Sequence, residues 1–135
     1  MLSKKHRLNL STAENSQLFS KSERFSTDNL LFYYQSNRSY LKVSAVTPTR
    51  LFNKATERNQ KRRLIYQLIN QINNEFKKKG KPSLLELNLD LIIVYKKHKA
   101  LAKDKIIAKD KALAKDLEKE LKLFFDKILK NNEIL

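Results

Sequence analysis

The sequence predicts an α+β protein: an α/β sandwich with a mixed sheet, its elements running in the order α-β-β-α-β-α. Three observations carry that prediction. Tyr40 to Val46 alternates, with Leu41, Val43 and Ala45 on one side and Tyr40, Lys42 and Ser44 on the other, the pattern of a half-buried strand. Leu64, Leu68, Ile72 and Phe76 recur at four-residue steps with Ile65 and Ile69 beside them, the pattern of one helix face. Leu91-Ile-Ile-Val-Tyr95 is apolar without alternation and β-branched, which suits a strand covered on both faces.

Taken in chain order, residues 12–22 predict a short helix with Thr12 as cap and Leu18 and Phe19 turned inward. Leu30 to Tyr34 reads as a strand between Asp28-Asn29 and the turn-prone run Gln35 to Ser39, and it is expected to form a hairpin with the strand at 40–46. Pro48 stops that second strand. The long helix spans about 55–79 and is closed by Gly80, with Pro82 just beyond. Strand, helix and the strand at 91–95 make a βαβ unit over roughly 41–95. Residues 100–120 carry a six-residue repeat (Ala102-Lys-Asp, Ala108-Lys-Asp, Ala114-Lys-Asp) whose period cannot align the alanines in one stripe, so a charged, largely solvated helical extension is expected over about 97–120. Leu113, Leu117, Leu121, Phe124 and Ile128 then give the packing face of a final helix at roughly 111–130.

Length and charge bound the function. At 135 residues the chain suits one domain over 1–135 with its own core. It carries 29 Lys and Arg against 14 Asp and Glu, a net charge of +15, and no cysteine. A disulfide scaffold, a cysteine nucleophile and a thiolate metal site are therefore excluded. The basic N-terminus has no apolar run behind it, and Leu30 to Tyr34 and Leu91 to Tyr95 fall far short of a membrane span, so a soluble, cytoplasmic protein is expected. A surplus this large points to a polyanion, nucleic acid before a membrane.

The surplus is concentrated in the middle. Residues 48–81 hold ten basic groups against Glu57 and Glu75 alone, whereas the C-terminal stretch from 96 mixes twelve lysines with seven acids and has no arginine. With Leu64, Leu68, Ile72 and Phe76 inward, Arg62, Tyr66, Asn59 and Arg63 fall on the opposite face, Arg58 on the rim, and Lys61 inside the apolar arc, where it must snorkel. The first turns of this helix thus offer guanidiniums, an amide and a ring together, beside Arg50 and Lys54. Such a run is often only a solvated face. Here Glu57 is the one acid within eight residues of Lys61, and planar groups and amides add little to solubility but suit RNA.

Lys54-Ala-Thr-Glu-Arg58-Asn59-Gln-Lys61-Arg62-Arg63 resembles the signature of the bacterial ribonuclease P protein subunit, written roughly K/N-A-V-x-R-N-R-x-K-R. Lys4-Lys5-His6-Arg7-Leu8 is similar to that family's opening, Leu18-Phe19 and Leu31-Phe32-Tyr33 to its V-F and V-L-Y, Asp90 to Lys96 to its D-x-I-I-I-A-R strand, and Leu121 to Lys127 to its closing helix. The resemblance implies a left-handed βαβ crossover around the Arg-Asn helix, and a function in transfer-RNA maturation. A catalytic RNA, working with Mg²⁺ held mainly by that RNA, cuts the 5′ end of precursor tRNA, while the protein binds the RNA and the 5′ leader as a monomer in a 1:1 complex. Arg58, Asn59, Lys61, Arg62, Arg63, Arg50, Lys54, Lys4, Lys5 and Arg7 would contact RNA, and Phe19 and Tyr33 would stack on the leader. Departures from the pattern are Gln60 for the second Arg of R-N-R, Tyr66 for a later Arg, Thr49-Arg50-Leu51 for S-K-K, and Asn15 for a first leader-cleft Phe.

No protein-borne active site is expected. His6 and His98 are far apart, each in a lysine cluster and so expected at the surface, and neither has a metal donor at ligand spacing. No triad or phosphate loop is present. The rival reading is a purely RNA-binding module, a ribosomal protein or assembly factor, with the same basic helix. A membrane-surface role for the lysine-rich C-terminal stretch is opposed by the seven acids it holds from residue 96 onward.

Overall fold

A computed structural model describes residues 6–8, 22–81, 83–96 and 107–134 of the chain. The predicted helix at 12–22, apart from Ser22, together with Lys4, Lys5, Phe19, His98 and most of the repeat before residue 107, lies outside those residues. The described elements are β1 (Glu23–Ser26), β2 (Leu30–Ser36), β3 (Lys42–Val46), α1 (Ala55–Lys78), a short 3-10 turn at Leu84–Glu86, β4 (Leu89–Tyr95) and α2 (Ile107–Ile134). Helices and a mixed sheet give the expected α+β class.

The four strands lie in the order β1-β2-β4-β3, with β4 antiparallel to β2 and parallel to β3. This corrects the expected hairpin: β2 and β3 do not touch as neighbours, because β4 sits between them. The reason is in β4 itself. Leu91, Ile92, Ile93 and Tyr95 are all buried, so the strand needs cover on both faces and ladder partners on both edges. The true hairpin partner of β2 is β1, which the sequence reading missed. Its turn is closed by the Thr27 amide donating to the Leu30 carbonyl at 2.9 Å. The segment between β2 and β3 is held instead by Asn37, whose side-chain amide donates to the Asp90 carboxylate at 2.8 Å and the Tyr40 carbonyl at 3.0 Å.

One sheet face carries Leu30, Phe32 and Tyr34 of β2, Val43 and Ala45 of β3, and Leu89, Leu91, Ile93 and Tyr95 of β4, all packed with α1 and α2. Phe124 joins the last helix to this layer: its ring stacks on Phe32 at 4.4 Å and meets Tyr34 and Phe125 edge-on at 5.3 Å. Leu113, Leu117, Leu121, Phe124 and Ile128 are buried as the periodicity predicts. Glu120, at the end of the stretch expected to be largely solvated, is buried as well. Its carboxylate accepts from the backbone amide and the side-chain amide of Asn29, both at 2.7 Å, and so satisfies buried donors at the start of β2.

The core face of α1 consists of Ile65, Leu68, Ile69, Ile72, Asn73 and Phe76, with Leu64 only half-buried. It is turned by roughly 40° from the expected arc, at the usual helical step, toward Arg62 and Tyr66. A polar side chain tolerates that position because Asn73 caps the 3-10 turn: its Oδ1 accepts from the Leu84 amide at 2.8 Å and the Ser83 hydroxyl at 3.1 Å.

Helix α1 ends at the predicted glycine. The Lys81 amide donates to the Phe76 carbonyl at 2.8 Å and the Gly80 amide to that of Lys77 at 3.1 Å, with Gly80 at φ +75. Both bonds need a left-handed residue there. A Cβ on Gly80 would meet nothing within 4 Å, so Gly80→Ala is expected to cost only the backbone term, about 1 kcal/mol, measured by denaturant unfolding.

The two helices are tied at their exposed rims. Lys122 of α2 reaches Glu75 of α1 at 2.9 Å and Glu118 at 3.3 Å. The hydrogen bond from Lys122 holds the Glu75 carboxyl below its ordinary 4.5, with Lys79 and Lys78 adding to the pull, while Glu75 and then Glu118 raise Lys122 above 10.5. A lowered carboxyl pKa contributes stability above the unfolded value that is lost as pH falls through the folded one. A raised ammonium pKa contributes below its unfolded value and fades as pH rises past the folded one. The tie is therefore complete between about pH 4.5 and 10.5. The melting-temperature gap between wild type and Glu75→Gln should close as pH is taken from 5 to 3, and should shrink in high salt because both groups are exposed.

Candidate RNA-binding face

The start of α1 is anchored from below and beside. Tyr95 of β4 donates its hydroxyl to the Lys61 carbonyl at 2.8 Å, and burial pushes that phenol above its ordinary range, so it remains a donor at every physiological pH. Phe52 is buried edge-on against the Tyr95 ring at 5.3 Å, which fixes the segment leading into the helix. Pro48 begins that segment, and its carbonyl accepts from the amides of Leu51 and Phe52.

On this base the predicted residues are placed as follows. Arg63 and Asn59 are exposed on α1, and Lys54 and Arg50 are exposed just before it. Lys61 is half-buried, in line with its expected position inside the apolar arc. Arg62 is also half-buried: it donates to the Thr47 hydroxyl at 3.2 Å and to the Asn59 side-chain oxygen. Arg58 turns back to donate to the carbonyls of Phe52 at 2.9 Å and Asn53 at 3.0 Å, so it also holds the preceding loop in shape. Arg7 is exposed, with its guanidinium 5.7 Å from the centre of the Tyr66 ring.

Tyr66 itself corrects the sequence reading. It is not a ring offered to solvent opposite the core. It packs half-buried against the core cluster, and its hydroxyl accepts from the Ala45 amide of β3 at 3.3 Å. The turned helix explains this, since Tyr66 and Arg62 now line the flank of α1 beside the outer edge of β3. Two pairs, Arg7 with Tyr66 and Arg62 with Asn59, thus lie along this flank of α1, with Arg58 and Arg63 adjoining in sequence.

The second sheet face lies opposite the helices. The register aligns Arg24, Tyr33, Ile92 and Ser44 across all four strands. Tyr34 points into the core and Tyr33 away from it, as alternation requires, and the Arg24 guanidinium stands 5.3 Å from the centre of the Tyr33 ring. Arg24 was missed because β1 is short and lacks β-branched residues; the polar–Phe25–polar alternation was its one signal. His6 also departs from expectation. It is buried, not at the surface, with Nδ1 2.7 Å from the Leu41 carbonyl.

Among the described residues no three His, Asp or Glu side chains come together as a metal site would need. Among them, too, no helix is long and apolar enough to cross a membrane.

The model of the Ribonuclease P family matches residues 2–128. The chain belongs to the ribonuclease P protein family. Solved structures of the family share its fold. The RNase P protein from Thermotoga maritima is 19% identical, with 84% of this chain and 96% of that one covered and a TM-score of 0.54. The Staphylococcus aureus RNase P protein is 14% identical, with 91% and 94% covered and a TM-score of 0.57. A mutant of the Staphylococcus aureus protein with defective mRNA degradation activity is 17% identical, with 94% and 90% covered and a TM-score of 0.58. No curated protein sequence matches the chain. The matched residues include the βαβ unit of β3, α1 and β4, with Arg58 to Arg63 in the first turns of its crossover helix.

Proposed function

We propose that this chain is the RNA-binding protein subunit of a ribonuclease P particle, and that it seats the catalytic RNA on the flank of α1 carrying Arg7, Arg58, Asn59, Arg62 and Arg63. The observation that carries the reading is that flank: several guanidiniums and an amide brought together in a member of the ribonuclease P family, with Glu57 the one acid in the helix's first turns. Guanidiniums pair bidentately with phosphate, and the Asn59 amide adds recognition of non-duplex RNA. Arg50, Lys54 and Lys61 extend the same field, and Lys4 and Lys5, just before Arg7 in the sequence, add to the charge.

The 5′ leader of precursor tRNA would lie on the second sheet face. There Tyr33, paired with Arg24, offers a stacking surface that tolerates any base, and the family resemblance adds Phe19 as a second leader-stacking residue. The reaction is hydrolysis of the phosphodiester at the mature 5′ end. Chemistry belongs to the RNA, with Mg²⁺ held mainly by its phosphates, and the protein raises the effective affinity for substrate and ion by neutralising backbone charge. The working unit is one protein with one RNA, in the cytoplasm.

The test is cleavage of a precursor tRNA by the same organism's ribonuclease P RNA at low, near-physiological Mg²⁺, with and without the protein. Restored cleavage at the mature 5′ end is the expected result. Absence of stimulation by a folded, RNA-binding protein would overturn the reading in favour of a ribosomal or assembly role.

A further inference from the structure

The outer edge of β3 would be an open row of backbone groups, since β4 occupies only its other side. Three groups close it. The Leu8 amide donates to the Val43 carbonyl at 2.8 Å, with Arg7 bridged to Val43 in parallel. The Tyr66 hydroxyl accepts from the Ala45 amide. His6 meets the Leu41 carbonyl at 2.7 Å through Nδ1, and a carbonyl only accepts, so Nδ1 carries the proton. The His6 ring is buried and edge-on to Tyr40 at 5.2 Å. Leu8, buried on Ile92, pins the other side.

Arg7 lies between these two anchors. His6 and Leu8 are both buried, so Arg7 is the exposed residue of the three. It points to the Tyr66 ring, one helical turn along α1 from Arg62. An Arg on an untethered arm would lose rotational and translational freedom on meeting RNA; one held on both sides has already lost it.

We infer that His6 is a positioning residue of the RNA site, a donor that latches the N-terminal segment onto the free edge of β3 and so presents the Arg7 guanidinium beside Arg62. This rests on the RNA-binding reading above and adds to it a group that touches no RNA.

The test is a double-mutant cycle on binding of the ribonuclease P RNA across a salt series, in the full chain, at a temperature where thermal melts show every variant folded. Arg7→Ala should flatten the log–log salt slope by ~0.7–0.9, the mark of one lost phosphate contact. His6→Phe keeps a ring against Tyr40 but has no donor, and should flatten the slope by the same amount. The double variant should fall no further. His6→Asn places an amide N–H near the position of Nδ1 and should restore the slope. A purely structural role would lower the melting temperature without moving the slope. Additive losses, a wild-type slope in His6→Phe, or no effect of Arg7→Ala would each overturn the inference. The Arg62→Ala, Arg63→Ala variant separates it from the wider reading: if that variant also binds with an unchanged slope, the RNA-binding reading itself has failed.

Discussion

Phe124→Ala is expected to destabilise the protein by about 3–5 kcal/mol, the largest loss of any single substitution considered. The ring is fully buried and makes four aromatic contacts, with Phe25, Phe32, Tyr34 and Phe125, so its removal empties the joint between α2 and the sheet. The stacked pair with Phe32 adds to the area term, since such pairs contribute about 0.5–1.5 kcal/mol beyond burial. Small domains have about 5–15 kcal/mol in total, so the variant should melt roughly 10–20 °C lower. Its neighbour supplies the control. Leu123 is 60% exposed, and Leu123→Ala should stay within about 0.5 kcal/mol of wild type. Equal losses at the two positions would mean that α2 does not pack as described.

Arg62→Ala with Arg63→Ala should have the largest effect on RNA. Two charge-assisted phosphate contacts are removed, so binding should weaken roughly ten- to a hundredfold. The salt slope should fall by about 1.4–1.8, at ~0.7–0.9 for each contact. The fold should survive, because Arg63 is exposed and Arg62 surrenders only the bonds to Thr47 and Asn59. Arg58 is left out of this variant on purpose. Its guanidinium holds the Phe52 and Asn53 carbonyls, so its loss would move the loop before α1 and confuse shape with charge. Circular dichroism and a melt establish folding, and filter binding over a salt series reads the slope. A wild-type slope would place the footprint elsewhere on the chain.

Much of this architecture is legible in the residues. The doubly apolar run at Leu91 to Tyr95 has one physical solution, a central strand, and Leu113 to Ile128 one packing face. What escaped depends on partners distant in sequence. The β2–β3 hairpin seemed natural because short loops usually join neighbours, yet a strand arriving almost fifty residues later takes the place between them. Asn73 and Glu120 look like solvated residues until the Leu84 amide and Asn29 are seen as their partners. The basic character of the candidate site was plain, but its orientation was not. Including Leu64 at one edge of the core arc puts Tyr66 and Arg62 on the outer side, whereas burial of Asn73 at the other edge turns the helix toward them. His6 could not have been placed from its neighbours at all, since Lys4, Lys5 and Arg7 all suggest water and only the Leu41 carbonyl explains its burial.

The central position of β4 has a consequence for synthesis. Leu30 pairs with Tyr95 and Val46 with Val94, so neither β2 nor β3 has its inner neighbour until residue 95 leaves the ribosome. From the end of β3 at residue 46 that is forty-nine more residues, or roughly 3–10 s of translation at bacterial-like elongation rates. During that interval the nascent chain exposes two unsatisfied strand edges together with the apolar side of Leu30, Phe32 and Val43. The arginine-bearing helix emerges within the same window, before the sheet that orients it exists. Acquisition of shape by the newborn polypeptide is therefore a late, nearly all-at-once event, and premature truncation anywhere before β4 should yield an aggregation-prone fragment in place of a smaller folded unit.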